Sequence, residues 1–195
     1  MSRILAAYPT GRLAWNKAVP GVAHLSGVAP PVQPLLWELT VIEKRRPGAY
    51  ERIYSQLEPL IREKSPNLTA GMATVCAVLH AKLRHHFWTG FYFVAGDDEL
   101  HVGPYQGAVA CQVLKGRGVC LASVQRMAAV VVPDVEAFPG HIACDSRAKS
   151  EIVVPLMKSG RVIAVLDIDS EQLSQFDQDD VAPLAKIVGL LEQLT

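Results

Sequence analysis

Hydrophobic spacing changes along this chain near Trp88, and that change limits the fold more than any other feature. Before it, apolar residues recur every three or four positions: Tyr50, Ile53, Tyr54, Leu57 and Ile61, then Leu68, Met72, Val75, Cys76, Leu79 and Leu83. Such spacing lines one face of a helix, so two helices are expected. Pro59 is placed to kink the first and Ser65-Pro66 to end it, while Asn67 is an N-cap for the second. After Trp88 the period becomes two. Residues 91–94 and 99–105 read as a hairpin turned at Gly96-Asp97-Asp98. Gly116-Arg117-Gly118 leads into a short helix over 119–127, and 129–132 is a buried strand closed by Pro133-Asp134. Residues 152–157 and 161–168 form a second hairpin at Ser159-Gly160. A last helix begins after Asp177, its N-cap, with Phe176 and Val181 placed for a hydrophobic staple. Asp179 and Asp180 suit the positive end of its dipole, and its buried stripe is Val181, Leu184, Val188 and Leu191.

Helices gathered at the ends of a set of antiparallel strands make an α+β domain, with helices packed on one face of the sheet. The other face is left to loops, and a pocket belongs there. The globular part starts near Pro47, which divides the chain into an N-terminal extension over 1–46 and a domain over 47–195. The first 37 residues hold Arg3, Arg12 and Lys17, with no acidic residue before Glu38. That composition suits an organelle transit peptide. Pro9, Pro20, Pro30, Pro31 and Pro34 break the amphipathic helix such peptides use, so an extended arm is the expected form.

Charge is balanced, with 19 basic and 19 acidic residues, which argues against nucleic acid or a membrane surface as partner. No apolar run reaches the roughly 18 residues of a membrane span. Four cysteines in 195 residues do not make a secreted disulfide scaffold. Reduced thiols and a cytoplasmic location are expected, with organelle targeting by the extension as the alternative.

Cys111, Cys120 and Cys144 fall within one stretch of 34 residues. No C-x-x-C pair accompanies them, and His141 and Cys144 at i, i+3 offer only a weak metal alternative, so no metal and no organic cofactor is expected. Thiols in such numbers suit redox chemistry, in which a thiolate attacks and a second thiol closes a disulfide. The attacker must sit near positive charge or backbone N–H groups. Cys144 has His141, Arg147 and Lys149 in its loop. Cys120 follows Gly-Arg-Gly at a helix start, where the dipole favours a thiolate.

Asp167 and Asp169 are two apart on one strand and share a face. Whether Glu151 joins them depends on the hairpin between. A clean two-residue turn pairs Lys158 with Arg161 and sets Glu151 opposite Ile168, on the wrong face. One bulge would bring it beside Asp169. Clustered carboxylates raise one another's pKa, so one can hold a proton for a departing oxygen. Trp88 and Tyr92 also share a strand face, as core or as an apolar wall for a methyl or thioether.

The segments WTGFYF (88–93), GPYQGAVAC (103–111), GRGVC (116–120), VPDVEAFPGHIACDSRAKSEIVVP (132–155) and VLDIDSE (165–171) resemble the free methionine-(R)-sulfoxide reductases, a family of single GAF domains. The resemblance covers residues 47–195. It implies a GAF fold and reduction of free L-methionine-(R)-sulfoxide to methionine, as a defence against oxidative stress. It puts Cys144 at the position of the attacking thiol, with Cys120 as the competing choice. Cys111 and Cys120 stand at the resolving positions, whose disulfide thioredoxin or a relative reduces. Glu151 and Asp169 match the acids that grip the sulfoxide oxygen, Asp167 a further acid facing the substrate ammonium, and Trp88 and Tyr92 the aromatic wall. The segment from Cys111 to Cys120 is one residue shorter than the family pattern, and Leu121 stands where glycine is common. Both departures bear on the reach of Cys120.

Two other readings remain at this level. A GAF domain can be a non-catalytic sensor for a nucleotide or amino acid, usually in a longer chain with an output domain, and none is visible here. It can also be a dimerisation module, with helices near 50–65 and 178–194 as the interface. A homodimer is left open.

Overall fold

The computed structural model describes residues 48–83, 85–142 and 144–195. The extension over 1–46, with its prolines and its acid-free stretch, lies outside the described residues. Helix α1 (Ala49–Pro59) runs directly into a π-helical turn (Leu60–Lys64). The expected irregularity at Pro59 takes this form, because proline supplies no N–H to the turn before it. Ser65 is extended, with ψ 119°, as a residue preceding proline tends to be, and the helix stops. Helix α2 (Leu68–Lys82) starts at Asn67, whose side chain accepts a hydrogen bond from Ala70 N at 2.9 Å.

Six strands follow: β1 (Trp88–Gly96), β2 (Glu99–Gln106), β3 (Val113–Lys115), β4 (Val130–Val132), β5 (Ser150–Lys158) and β6 (Arg161–Ser170). They form one antiparallel sheet in the order β3-β2-β1-β6-β5-β4. Strand β3 is additional to the sequence reading, being too short for a period to show. Helix α3 (Val119–Arg126) lies between β3 and β4, and α4 (Gln178–Gly189) follows the sheet. At the start of α4, the Asp177 side chain accepts from Asp179 N and the Asp180 side chain accepts from Asp177 N, a capping box. Tyr50 also donates to Asp180, at 3.0 Å, which ties α1 to α4. The stripe of α4 is shifted slightly: Leu184, Val188 and Leu191 are buried, Ile187 joins them, and Val181 is half-buried.

The helix-side core sets Leu57, Met72, Leu79 and Leu184 against Phe91, Leu156, Leu166 and Ile168 of the sheet. Each such fully buried side chain contributes about 1.5–3 kcal/mol of transfer free energy. On the opposite face Tyr92, Leu121, Val132, Val153 and Val165 form a second apolar cluster, covered by α3 together with the loops expected there. Among the described residues no helix is long and apolar enough to cross a membrane.

One irregularity in the sheet decides where the acids go. Lys158 pairs with Arg161 and Met157 with Val162, but Leu156 pairs with Ala164, so Ile163 is an extra residue on β6. Beyond this bulge the register is shifted by one, and Glu151 pairs with Asp169 rather than Ile168. Because side chains alternate, that single residue moves Glu151 onto the same face as both aspartates.

Candidate active site

Two cross-strand rows build the floor of the site. Asp169 pairs with Trp88 on one side and Glu151 on the other, and Asp167 pairs with Gly90 and Val153. Gly90 leaves room for an aromatic ring to lie across its strand. A Cβ there would collide with the Trp88 ring and lie 2.5 Å from the Tyr105 Cβ. The Trp88 ring is stacked on Tyr92 and Tyr105, with centroids 5.7 and 5.5 Å apart. Trp88 Nε1 donates to the Ala108 carbonyl and the Tyr92 hydroxyl donates to the Cys111 carbonyl, both at 3.2 Å. With their polar ends satisfied, the two rings present an apolar wall. Trp88, Tyr92, Cys120, Glu151, Asp167 and Asp169 all line one cavity of about 50 Å³, together with Cys144.

Helix α3 brings Cys120 over the acids. Gly118, just before it, has φ 111°, a conformation open to glycine and strained for other residues. Cys120 is buried, and its Sγ lies 4.0 Å from Glu151 Oε1. Donor atoms of Cys120, Glu151 and Asp167 fall within 4.8 Å of one another. Burial, and then the charges of Asp167 and Asp169, push the Glu151 carboxyl well above the usual range. Asp169 keeps part of its surface open to the cavity but is also raised, by loss of solvent and then by Asp167 and Asp145. Asp167 is raised to about 7 by burial, against the opposing effects of Cys120 and Glu151. Its Oδ1 is buried with no hydrogen-bond partner among the described residues.

The same surroundings decide the state of Cys120. Its thiol is raised well above the ordinary value by burial, then by Asp167, Glu151 and Asp169. A helix N-terminus offers a thiolate about 0.3–1 kcal/mol. Burial alone can shift a group by roughly 3–5 pKa units, each about 1.4 kcal/mol. The larger effects win, so the expected dipole activation of Cys120 is overridden and it stays protonated.

Cys111, beyond the end of β2, is joined to Cys144 by a disulfide, with Cα atoms 5.5 Å apart. Cys144 is exposed and Cys111 half-buried. Cys120 and Cys76 are free. Cys76 sits in the helix-side core, its thiol pushed up to about 12 by burial, and behaves as a small apolar side chain. Two of the cations expected beside Cys144 are engaged elsewhere. Arg147 pairs with Asp145 at 2.7 Å and Glu171 at 3.3 Å and lies over the Phe87 ring, and Lys149 pairs with Glu136 at 2.8 Å. The basic side chains that do line the cavity are Arg117 and His141. Burial lowers the His141 pKa, with Glu136 opposing, so its ring is neutral at pH 7.

The sequence matches the GAF domain family over residues 68–194. GAF domain-containing protein A of Dictyostelium discoideum is 44% identical over 156 residues, which cover 80% of this chain and 98% of that protein. The free methionine-R-sulfoxide reductase of Escherichia coli is 42% identical over 126 residues, 64% of this chain and 76% of that protein. An X-ray structure of free methionine-R-sulfoxide reductase from Neisseria meningitidis, in complex with its substrate, superposes with a TM-score of 0.72 at 42% identity, covering 76% of this chain and 90% of that one. This chain belongs to the free methionine-R-sulfoxide reductase family of GAF domains. In this GAF domain, then, the carboxyls, the aromatic pair and Cys120 singled out in sequence converge on one cavity, with the Cys111–Cys144 pair at its edge. Sequence reasoning missed Arg117 as a lining residue of the site and Tyr105 as the ring that backs Trp88. Each had a signal: Arg117 is set between two glycines, and Gly90 inside a strand marks the close approach that Trp88 and Tyr105 make.

Proposed function

We propose that this GAF domain reduces free L-methionine-(R)-sulfoxide to methionine through a thiol–disulfide cycle. The observation that carries the reading is the placement of a disulfide, Cys111–Cys144, beside a cavity whose floor is three carboxyls with one buried oxygen unpartnered. Relatives that bear the name of this reductase, one of them in complex with its substrate, support it.

In the reduced enzyme the Cys144 thiolate attacks the sulfoxide sulfur. A protonated carboxyl, Glu151 or Asp169, gives its proton to the oxygen as the S–O bond weakens. Methionine leaves, and Cys144 is left as a sulfenic acid. The Cys111 thiol then attacks that sulfur, water departs, and the disulfide forms. A dithiol protein of the thioredoxin type supplies the two electrons that restore both thiols. Asp167, its carboxyl held at about 7, can ionise near neutral pH, which suits it to the substrate ammonium. Trp88 and Tyr92 hold the methyl group. Cys144 is the attacker rather than Cys120, because burial, and then the carboxyls around it, oppose a thiolate at Cys120.

The test is turnover of the separate R and S epimers by wild type and three variants. Wild type consumes the R epimer over many cycles. Cys144→Ser performs not even one turnover, Cys111→Ser performs one without recycling, and Cys120→Ser still recycles. Full cycling by Cys144→Ser would overturn the assignment of the attacker. Binding of the sulfoxide with no loss of free thiols in wild type would favour the non-catalytic sensor.

A further inference from the structure

Cys120, Glu151 and Asp167 form a donor set of mixed softness, a thiol beside two carboxyls, all buried and mutually within 4.8 Å. Asp167 lines the cavity, and its buried Oδ1 has no partner among the described residues. We propose that these three side chains bind one zinc ion, and that the ion and the sulfoxide substrate exclude each other. The exclusion rests on the function proposed above, whereas the binding does not.

The geometry favours zinc among common divalent cations. Bonds of about 2.3 Å to sulfur and about 2.0–2.2 Å to oxygen, arranged as a tetrahedron, require donors about 3.4–3.6 Å apart. Cys120 Sγ is 4.0 Å from Glu151 Oε1, so the set closes on an ion with a contraction of about half an ångström on that edge. Magnesium and calcium demand six or more oxygen donors and gain little from a thiolate. Three protein donors leave a fourth position for water from the cavity, the pattern of an open rather than a closed zinc site. Metal binding displaces the protons these groups hold and replaces the repulsion between them with attraction to a common cation. Glu151 and Asp167 cannot then receive the substrate, so zinc acts as a reversible off-switch.

The full chain should be tested with the Cys111–Cys144 disulfide intact, which removes the competing thiols of the cavity edge. Calorimetric titration with zinc is expected to give one site per chain, with magnesium giving none. Cys120→Ser and Asp167→Asn, checked for native circular dichroism, should each weaken zinc by more than the roughly 10–100-fold that loss of an outer-shell partner costs. Cobalt should give a sulfur-to-metal charge-transfer band that is lost in Cys120→Ser. Free methionine-(R)-sulfoxide should displace the ion. No stoichiometric zinc, or binding and a cobalt band unchanged in Cys120→Ser, overturns the site. Zinc held at Cys120 but not displaced by the sulfoxide overturns the exclusion. The two readings fail separately: turnover without zinc binding sinks this one alone, and zinc binding through Cys120 without turnover sinks the reductase alone.

Discussion

At Asp167 burial outweighs its favourable neighbours and holds the carboxyl at about 7. In the unfolded chain an aspartate ionises near 3.9. Between those values the folded state keeps a proton that the unfolded state has lost, so stability falls as pH rises through the window. Below about pH 4 both states are protonated and Asp167 adds no slope. Glu151 and Asp169 are raised as well, by burial first, and add to the same loss. The melting temperature is therefore expected to drop between pH 5 and pH 8. Asp167→Asn should flatten that drop and raise the midpoint at pH 8 by roughly 5 °C, as read by scanning calorimetry. A wild-type midpoint that climbed over the same range would contradict the buried, proton-holding cluster. Part of this residue-level chemistry can be read from sequence. Asp167 and Asp169 must share a face because strand alternation is local, and so must Trp88 and Tyr92. The state of Cys120 cannot be read that way, because its burial, and then the acids beside it on β5 and β6, are set by tertiary contacts.

Among the elements, the loop bearing Cys144 and the bulge in β6 matter most. Arg147 latches the loop by gripping Asp145 within it and Glu171 just past β6, while covering Phe87. Lys149 N donates to the Ser170 carbonyl at 2.8 Å, a second tie to the same strand end. Arg147→Ala is expected to speed reduction of the Cys111–Cys144 disulfide by a small thiol about fivefold, by easing local opening. The global melting temperature should barely move, since the ion pairs are exposed. Faster reduction accompanied by a clear fall in the melting temperature would mean that Arg147 supports the whole domain rather than the loop. The bulge shows the limit of element-level reading. Ser159-Gly160 announces the turn, and Lys158 does pair with Arg161. Nothing around Ile163 announces an extra residue, yet it alone moves Glu151 across the sheet.

For the molecule as a whole, the disulfide is a constraint on the unfolded chain as well as a redox centre. It spans 33 residues, and closing a loop of that size is worth roughly 3–4 kcal/mol in the chain-entropy account. Reduction should lower the melting temperature by on the order of 10 °C, measured on wild type with and without a reductant. Cys111→Ser, which cannot form this bond, should melt near the reduced wild type under both conditions. The helices, most of the strands and the caps at Asn67 and Asp177 follow from the sequence by itself, because periodicity and capping depend on neighbours within a few residues. The pairing of distant thiols, the register that gathers three carboxyls and the desolvation that raises their pKa values were decided only by the tertiary structure. Those properties depend on which groups meet across the sheet and on how much water is left between them, and neither is a function of local spacing.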